Sequence, residues 1–442
     1  MPDGPTPASS ALLTDHYELT MLDAAVRAGT ADRSTVFQCF ARGLPGGRRY
    51  GVVAGLGRLL DLLERFTFGP VERDHLARTG VVSDETLDRL RDWRFTGRVQ
   101  AYREGEVHLP GSPVLQVTAP FGEAVLLETL VLSVLNHDSA IATAGARMVA
   151  AAGGDPAAGG RPLLEFGARR THEEAAVAAA RAAWVVGFAG TSHLEAGRRH
   201  GIPTLGTVAH AFVMLHDTEA EAFAAQVAAA GAGTTALVDT YDTAGGIRAA
   251  VAAAGPGLGA IRIDSGDLAA ETVAARALLD ELGATDTRIV LSGDLDEHAI
   301  AALAAVPADG YGVGTELVTG SGHPTARMVY KLVARGEPGG PADVPVAKRS
   351  AGKRTAGGVV QATRLLDGGV ATTELLTPHD APPPPGGRAL LVDVVVDGEV
   401  VHRPDLDEVR AHHRAAMAEL PPGALDLAPG EPCIPTVRRD LP

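Results

Sequence analysis

The sequence predicts an α/β fold: an irregular or incomplete α/β barrel (TIM-like) with an N-terminal α+β domain and a small, mostly β C-terminal domain. Three observations carry this expectation. Seven short apolar runs recur between residues 162 and 315, namely PLLEFG, WVVGFAG, TLGTVA, ALVDT, AIRID, RIVLSG and YGVGT, with Ala-rich helical segments in most intervals. Spacings of roughly 20 to 30 residues suit βα units and a parallel sheet. Almost every run ends in polar or glycine residues, which a barrel-rim site requires; an open sheet would gather its ligand contacts at one switch point. Finally, 442 residues exceed one small core, and composition shifts suggest domains at 1–122, 123–344 and 345–442.

Taken in chain order, TDHYELTMLDAAVRA (14–28) opens with capping residues and an early acid, then repeats apolar residues at helical spacing. It predicts a helix presenting His16 and Tyr17 near its start. The strand-like VFQCFAR follows, then the turn-rich LPGGRRY and a helix from about Val53 to Phe66. From about Glu123 a long helical stretch runs to the Gly-rich AGGDPAAGGRP, where the repeating units begin. Beyond them, GEPGGPADVP and TPHDAPPPPGGR read as linkers or loops, and DLDEVRAHHRAAMAEL reads as a helix in the closing domain.

Bulk properties narrow the function. A net charge of −15 gives no global attraction to nucleic acid or anionic membrane. Cys39 and Cys433 form neither a disulfide framework nor a CxxC zinc pattern, and no HExxH-type spacing is present. MPDGPTPASS lacks the features of a signal peptide, and AAVAAARAAWVVGFAG, interrupted by Arg181, is too short to span a bilayer. These features lead us to expect a soluble, cytoplasmic protein without nucleic-acid or membrane partners.

Candidate chemistry sits at the strand ends. In IRIDSGDL, Arg262 and Asp264 are two apart and so share a strand face, before a turn through Ser265 and Gly266. A structural ion pair is the plainer alternative. LVDTYDTAGG resembles the ribose and phosphate loop of type I phosphoribosyltransferases, but imperfectly, since Asp239 and Asp242 are separated rather than adjacent. Gly293 with Asp294, and Gly314 with Thr315, place backbone N–H groups where phosphate oxygens could approach, or are ordinary turn residues. EFGARRTH offers Phe166 and Arg169 to a flat anionic ring, or a core Phe with a solvated Arg. His210, after Gly206 and Thr207, is a base, ligand or nucleophile near neutral pH, or a satisfied polar residue.

The ordered set TDHYELTM, FARGLPGGRRY, EFGARRTH, GTSHLEA, GTVAHAF, VDTYD, IRIDSGDL, LSGDLDE, GVGTELVT and VAKRSAGK resembles nicotinate phosphoribosyltransferase, over about residues 12–355. That resemblance implies joining nicotinate to 5-phosphoribosyl 1-diphosphate, with ATP hydrolysis coupled through a phosphohistidine at His210. It implies a homodimer in which Tyr17 of one subunit completes the base site of the other against Phe166. Arg262, Thr207 and Arg169 would hold the base. Asp239 and Asp264 would organise Mg²⁺, with Asp264 also catalytic. Ser265, Gly266, Gly293, Asp294, Gly314 and Thr315 would meet ribose and phosphate.

Related nicotinamide enzymes carry Asp where this chain has Ser192, and an acid there would repel a carboxylate substrate, so Ser192 favours nicotinate. Three departures stand out: His193 replaces the family's usual Asn, Ala211 replaces the usual Glu after the histidine, and Glu316 lies where a basic residue is frequent. They keep open transfer to a related pyridine or azine acid, or a non-catalytic homologue that senses nucleotides.

Overall fold

In the computed structural model, residues 8–348 and 356–441 are described, and the end of VAKRSAGK lies outside them. The chain forms two compact units, one from residues 1–140 and 325–442 and the other from 141–324.

The first unit is built on a seven-stranded antiparallel sheet. Within it, Arg33–Ala41 pairs on one side with Pro113–Pro120, the central strand, and on the other with Met328–Pro338. Arg98–Tyr102 pairs with Leu391–Val396, so residues from the far end of the chain complete the sheet. These pairings cut across the expected boundaries at 122 and 344. Hydrophobic periodicity reports which face of a strand is buried but not which distant strand it joins. The expected first helix is found at His16–Arg27, burying Leu19, Leu22 and Ala25. A four-stranded sheet of Gly387–Ala389, Val360–Asp367, Val370–Pro378 and Thr436–Arg438 supplies the expected β-rich tail. The helix Leu406–Ala418 starts at Asp405, which accepts a hydrogen bond from Glu408 N–H in a capping box.

The second unit holds a six-stranded parallel sheet, ordered Gly190–Thr191, Leu163–Glu165, Gly310–Val313, Arg288–Leu291, Ala260–Ile263, Thr235–Leu237. The last strand of this sheet in chain order therefore pairs with its first, as Tyr311, Gly312 and Val313 lie beside Leu163, Leu164 and Glu165. The hydrogen-bonded sheet is nevertheless open and does not form a closed barrel. TLGTVA makes only a bridge from Thr204 to Thr191. Pro203 lacks an N–H and Gly206 weakens extended structure, so a ladder fails there. The hydroxyl of Thr207 instead donates to the Thr235 carbonyl at 2.8 Å. WVVGFAG likewise yields only the short strand Gly190–Thr191, because its start completes the helix Glu173–Val185.

Helices between these strands begin on side-chain caps. Asp242, Asp267 and Asp296 each accept a backbone N–H at a helix start. One stretch, residues 121–158, is long and apolar enough to cross a membrane, and most of its apolar window is buried within the protein.

Candidate active site

The C-terminal ends of the parallel strands converge on one polar cluster. Arg262 leaves the Ala260–Ile263 strand on the same face as Asp264, and its Nη2 donates to Asp264 Oδ1 at 2.9 Å. Its Nε donates to Ser292 Oγ at 2.8 Å, and the Ser292 hydroxyl in turn donates to Asp264 Oδ1. The guanidinium also lies 5.5 Å from the centroid of the Phe166 ring. Cation, carboxylate and aromatic face are therefore held together. Burial raises the pKa of Asp264, but hydrogen bonds from Ser292 and Arg262 and the charges of Arg262 and His210 hold it below the ordinary carboxylate range.

Asp239 lies beside this cluster. Its Oδ2 accepts from Asp264 N–H at 2.9 Å and from the Ser265 hydroxyl at 2.6 Å, whereas its buried Oδ1 has no hydrogen-bond partner. A buried carboxylate oxygen left in this state suits a cation. Among the described residues no group of three or more His, Cys, Asp and Glu forms a cage. Mg²⁺ requires no such cage, because it usually binds through one or two carboxylates plus water and substrate phosphate.

His210 differs from expectation. It begins the short helix His210–Met214 rather than ending a strand. Its Nδ1 lies 3.1 Å from Thr240 Oγ1, its Nε2 lies 4.0 Å from Asp239 Oδ1, and the side chain is 38% exposed. Thr240 thus fixes the ring while leaving it accessible. Asp242, four residues before Gly246, is a helix cap that accepts from Gly245 N–H at 2.7 Å, which explains the imperfect likeness to the type I loop.

Glycines make the close approaches possible. A Cβ on Gly312 would lie 2.4 Å from the Phe166 ring, and one on Gly293, which has φ of +116°, would lie 2.5 Å from the Asp264 carbonyl. Gly266 and Asp294 also have positive φ. Gly314 sits against the Phe166 backbone, and Thr315 opens the four-residue helix that follows.

Beneath Phe166, the buried Glu165 ties two strand ends together. It accepts from Gly167 N–H and the Thr191 hydroxyl, and its own carbonyl accepts from Ser192 N–H at 2.8 Å. Burial pushes its pKa up, and these hydrogen bonds offset only part of that rise. His193 N–H donates to Thr191 Oγ1 at 2.9 Å, while its Nδ1 is buried without a partner. Arg169 is exposed and outside the tight cluster. Tyr17 belongs to the other unit, where it is 42% exposed and its phenol is pushed up by partial burial and by the Glu128, Glu18 and Asp15 charges.

Ser292, Thr240 and the bracing role of Glu165 go beyond the sequence reading. Ser292 directly precedes Gly293 and Asp294, so the strand-end rule that selected those two also reaches it.

Comparison with known proteins identifies the family. Residues 12–136 match the nicotinate phosphoribosyltransferase N-terminal domain, and residues 162–335 match the nicotinate phosphoribosyltransferase family. A nicotinate phosphoribosyltransferase of Mycobacterium tuberculosis is 54% identical, covering 98% of this chain and 96% of its own. One from Bacillus subtilis is 38% identical, covering 81% of this chain and 74% of its own. The crystal structure of human nicotinic acid phosphoribosyltransferase superposes with a TM-score of 0.81 at 25% identity, covering 97% of this chain and 98% of the human one. The two family matches and the similarity along nearly the whole chain show that this chain belongs to the nicotinate phosphoribosyltransferase family.

Proposed function

We propose that this protein joins nicotinate to 5-phosphoribosyl 1-diphosphate, giving nicotinate mononucleotide and pyrophosphate for NAD biosynthesis, with ATP hydrolysis coupled through a phosphohistidine at His210. The observation that carries the reading is the joining of Arg262, Asp264, Ser292 and Phe166 at the strand ends beside Asp239 and His210. The nicotinate ring nitrogen forms a bond to the anomeric carbon as the bond to the diphosphate oxygen breaks. Positive charge develops on the ribosyl group, and Asp264, held ionised, stabilises it. Phe166 offers a face to the pyridine. Arg262, with Ser192 and Arg169, supplies donors to its carboxylate, while Thr207, whose hydroxyl donates to the Thr235 carbonyl, lines the base site.

Ser265, Gly266, Gly293, Asp294, Gly314 and Thr315 lie at the loops assigned to ribose and phosphate. Asp239 and Asp264 are the residues assigned to Mg²⁺, which when bound neutralises charge on the leaving diphosphate. For His210, the Thr240 contact orients the imidazole for phosphoryl transfer, and Ala211 removes the acid usual next to it. A homodimer completed by Tyr17, and a cytoplasmic location, follow from the resemblance and the composition. A second reading, transfer to a related pyridine or azine acid, draws on the unpartnered Nδ1 of His193; competition among candidate bases separates the two.

Incubation with γ-labelled ATP tests the ATP coupling. The wild type should acquire acid-labile label that is lost in His210→Ala, and label persisting in that variant refutes the phosphohistidine assignment.

A further inference from the structure

We propose that a cleft in the unit formed by residues 1–140 and 325–442 is a second, non-catalytic site for a phosphate-bearing anion, held by Arg103 and His402. The cleft lies between the end of the Arg98–Tyr102 strand and the segment entering the Leu406–Ala418 helix. Its volume is about 550 Å³, within the span of roughly 300 to 1,000 Å³ usual for small-molecule sites.

The charged groups on its walls divide into committed and uncommitted. Glu104 accepts from Gly55 N–H at 2.6 Å and Gly57 N–H at 3.1 Å, and Glu408 accepts from Asp405 N–H at 3.3 Å. Arg403 is paired with Asp61 and, at 2.9 Å, with Glu64. His412 Nε2 lies 3.0 Å from Glu106, which also receives Arg388 at 2.6 Å and Arg364 at 3.0 Å. Two groups remain. The Arg103 side chain is exposed and has no hydrogen bond or ion pair among the described residues, its carbonyl accepting from Glu106 N–H at 3.1 Å, and His402 Nε2 is buried without a hydrogen-bond partner.

Glu104 thus meets two donors and Glu408 one, while the two unpaired side chains of the cleft, a guanidinium and an imidazole, can both donate to an anion. Burial, followed by the nearby Arg103 charge, holds the His402 imidazole below its ordinary pKa against the opposing charge of Glu408, and an anion seated between Arg103 and His402 would offset the Arg103 charge and favour the imidazolium. A phosphate has enough acceptor oxygens to meet a guanidinium fork and an imidazolium together. Free phosphate and the phosphate of a mononucleotide present the same chemistry here.

The test uses crystals of the full-length protein soaked in inorganic phosphate or, in a parallel arm, adenosine monophosphate, with calorimetric titrations of the same ligands. Phosphate density within hydrogen-bond distance of the Arg103 guanidinium and His402 Nε2 is expected. An Arg103→Gln/His402→Gln double variant should lose that density and bind at this site at least about tenfold more weakly, with unchanged turnover. Density in both arms assigns the site to phosphate in general, and density only with the nucleotide assigns it to nucleotides. Circular dichroism checks that the double variant folds, and Arg103→Gln alone replaces it if it does not. No density at this pair in either arm, or density undiminished in the variant, overturns the proposal.

Discussion

Arg262 makes two directional contacts at once, donating from Nε to Ser292 and from Nη2 to Asp264 while spanning the Phe166 face. A lysine has one point charge and no fork, so Arg262→Lys keeps the charge but loses this geometry. The expected result is a loss of about 10- to 100-fold in kcat/KM for nicotinate, the equivalent of one charged hydrogen bond, read by steady-state kinetics. Asp264 yields a second prediction, with the sign set by its lowered pKa. Its carboxylate gives full stabilisation above the ordinary carboxylate range and loses it only as pH falls through that lowered value. Loss of activity between pH about 7 and 5 should therefore have another origin, and Asp264→Asn should reduce turnover without moving that limb of the kcat profile. At this scale much was legible: alternation along IRID placed Arg262 and Asp264 on one face. Ser292 was within reach of the same strand-end rule, whereas Thr240 was not, because a hydroxyl that holds a neighbouring imidazole leaves no pattern in a single sequence.

At the scale of elements, the βα repeat was readable wherever an apolar run was bounded by turn residues, as at RIVLSG and YGVGT. It failed at TLGTVA, where a side chain of Thr207 rather than a backbone ladder meets Thr235. Strand and loop are also coupled through Gly312, whose missing Cβ leaves room for the Phe166 ring. Gly312→Ala should displace that ring, raising KM for nicotinate by up to roughly a hundredfold, with a smaller change in KM for the ribosyl diphosphate. Equal changes in both constants would mean that the strand itself is disturbed.

One unit is held by pairings between segments far apart in sequence, such as Arg33–Ala41 with Met328–Pro338, which no local pattern reveals. Acid sensitivity belongs at this scale. Burial lowers the pKa of His108 and of His413 from 6.5 to about 4. The unfolded chain therefore takes up protons at a higher pH than the folded one, so stability is present above pH 6.5 and is lost as pH falls toward 4. Each histidine contributes roughly 3 kcal/mol at most, and thermal melts across this window should show a falling Tm. His108→Gln should make that fall shallower, even if the variant starts less stable.

Turnover is the most direct test of the central claim. Purified protein supplied with nicotinate, 5-phosphoribosyl 1-diphosphate, Mg²⁺ and ATP should form nicotinate mononucleotide and pyrophosphate in equal amounts, and should use nicotinamide far less well. No nicotinate mononucleotide under any combination of these substrates, or a preference for nicotinamide, would contradict the account.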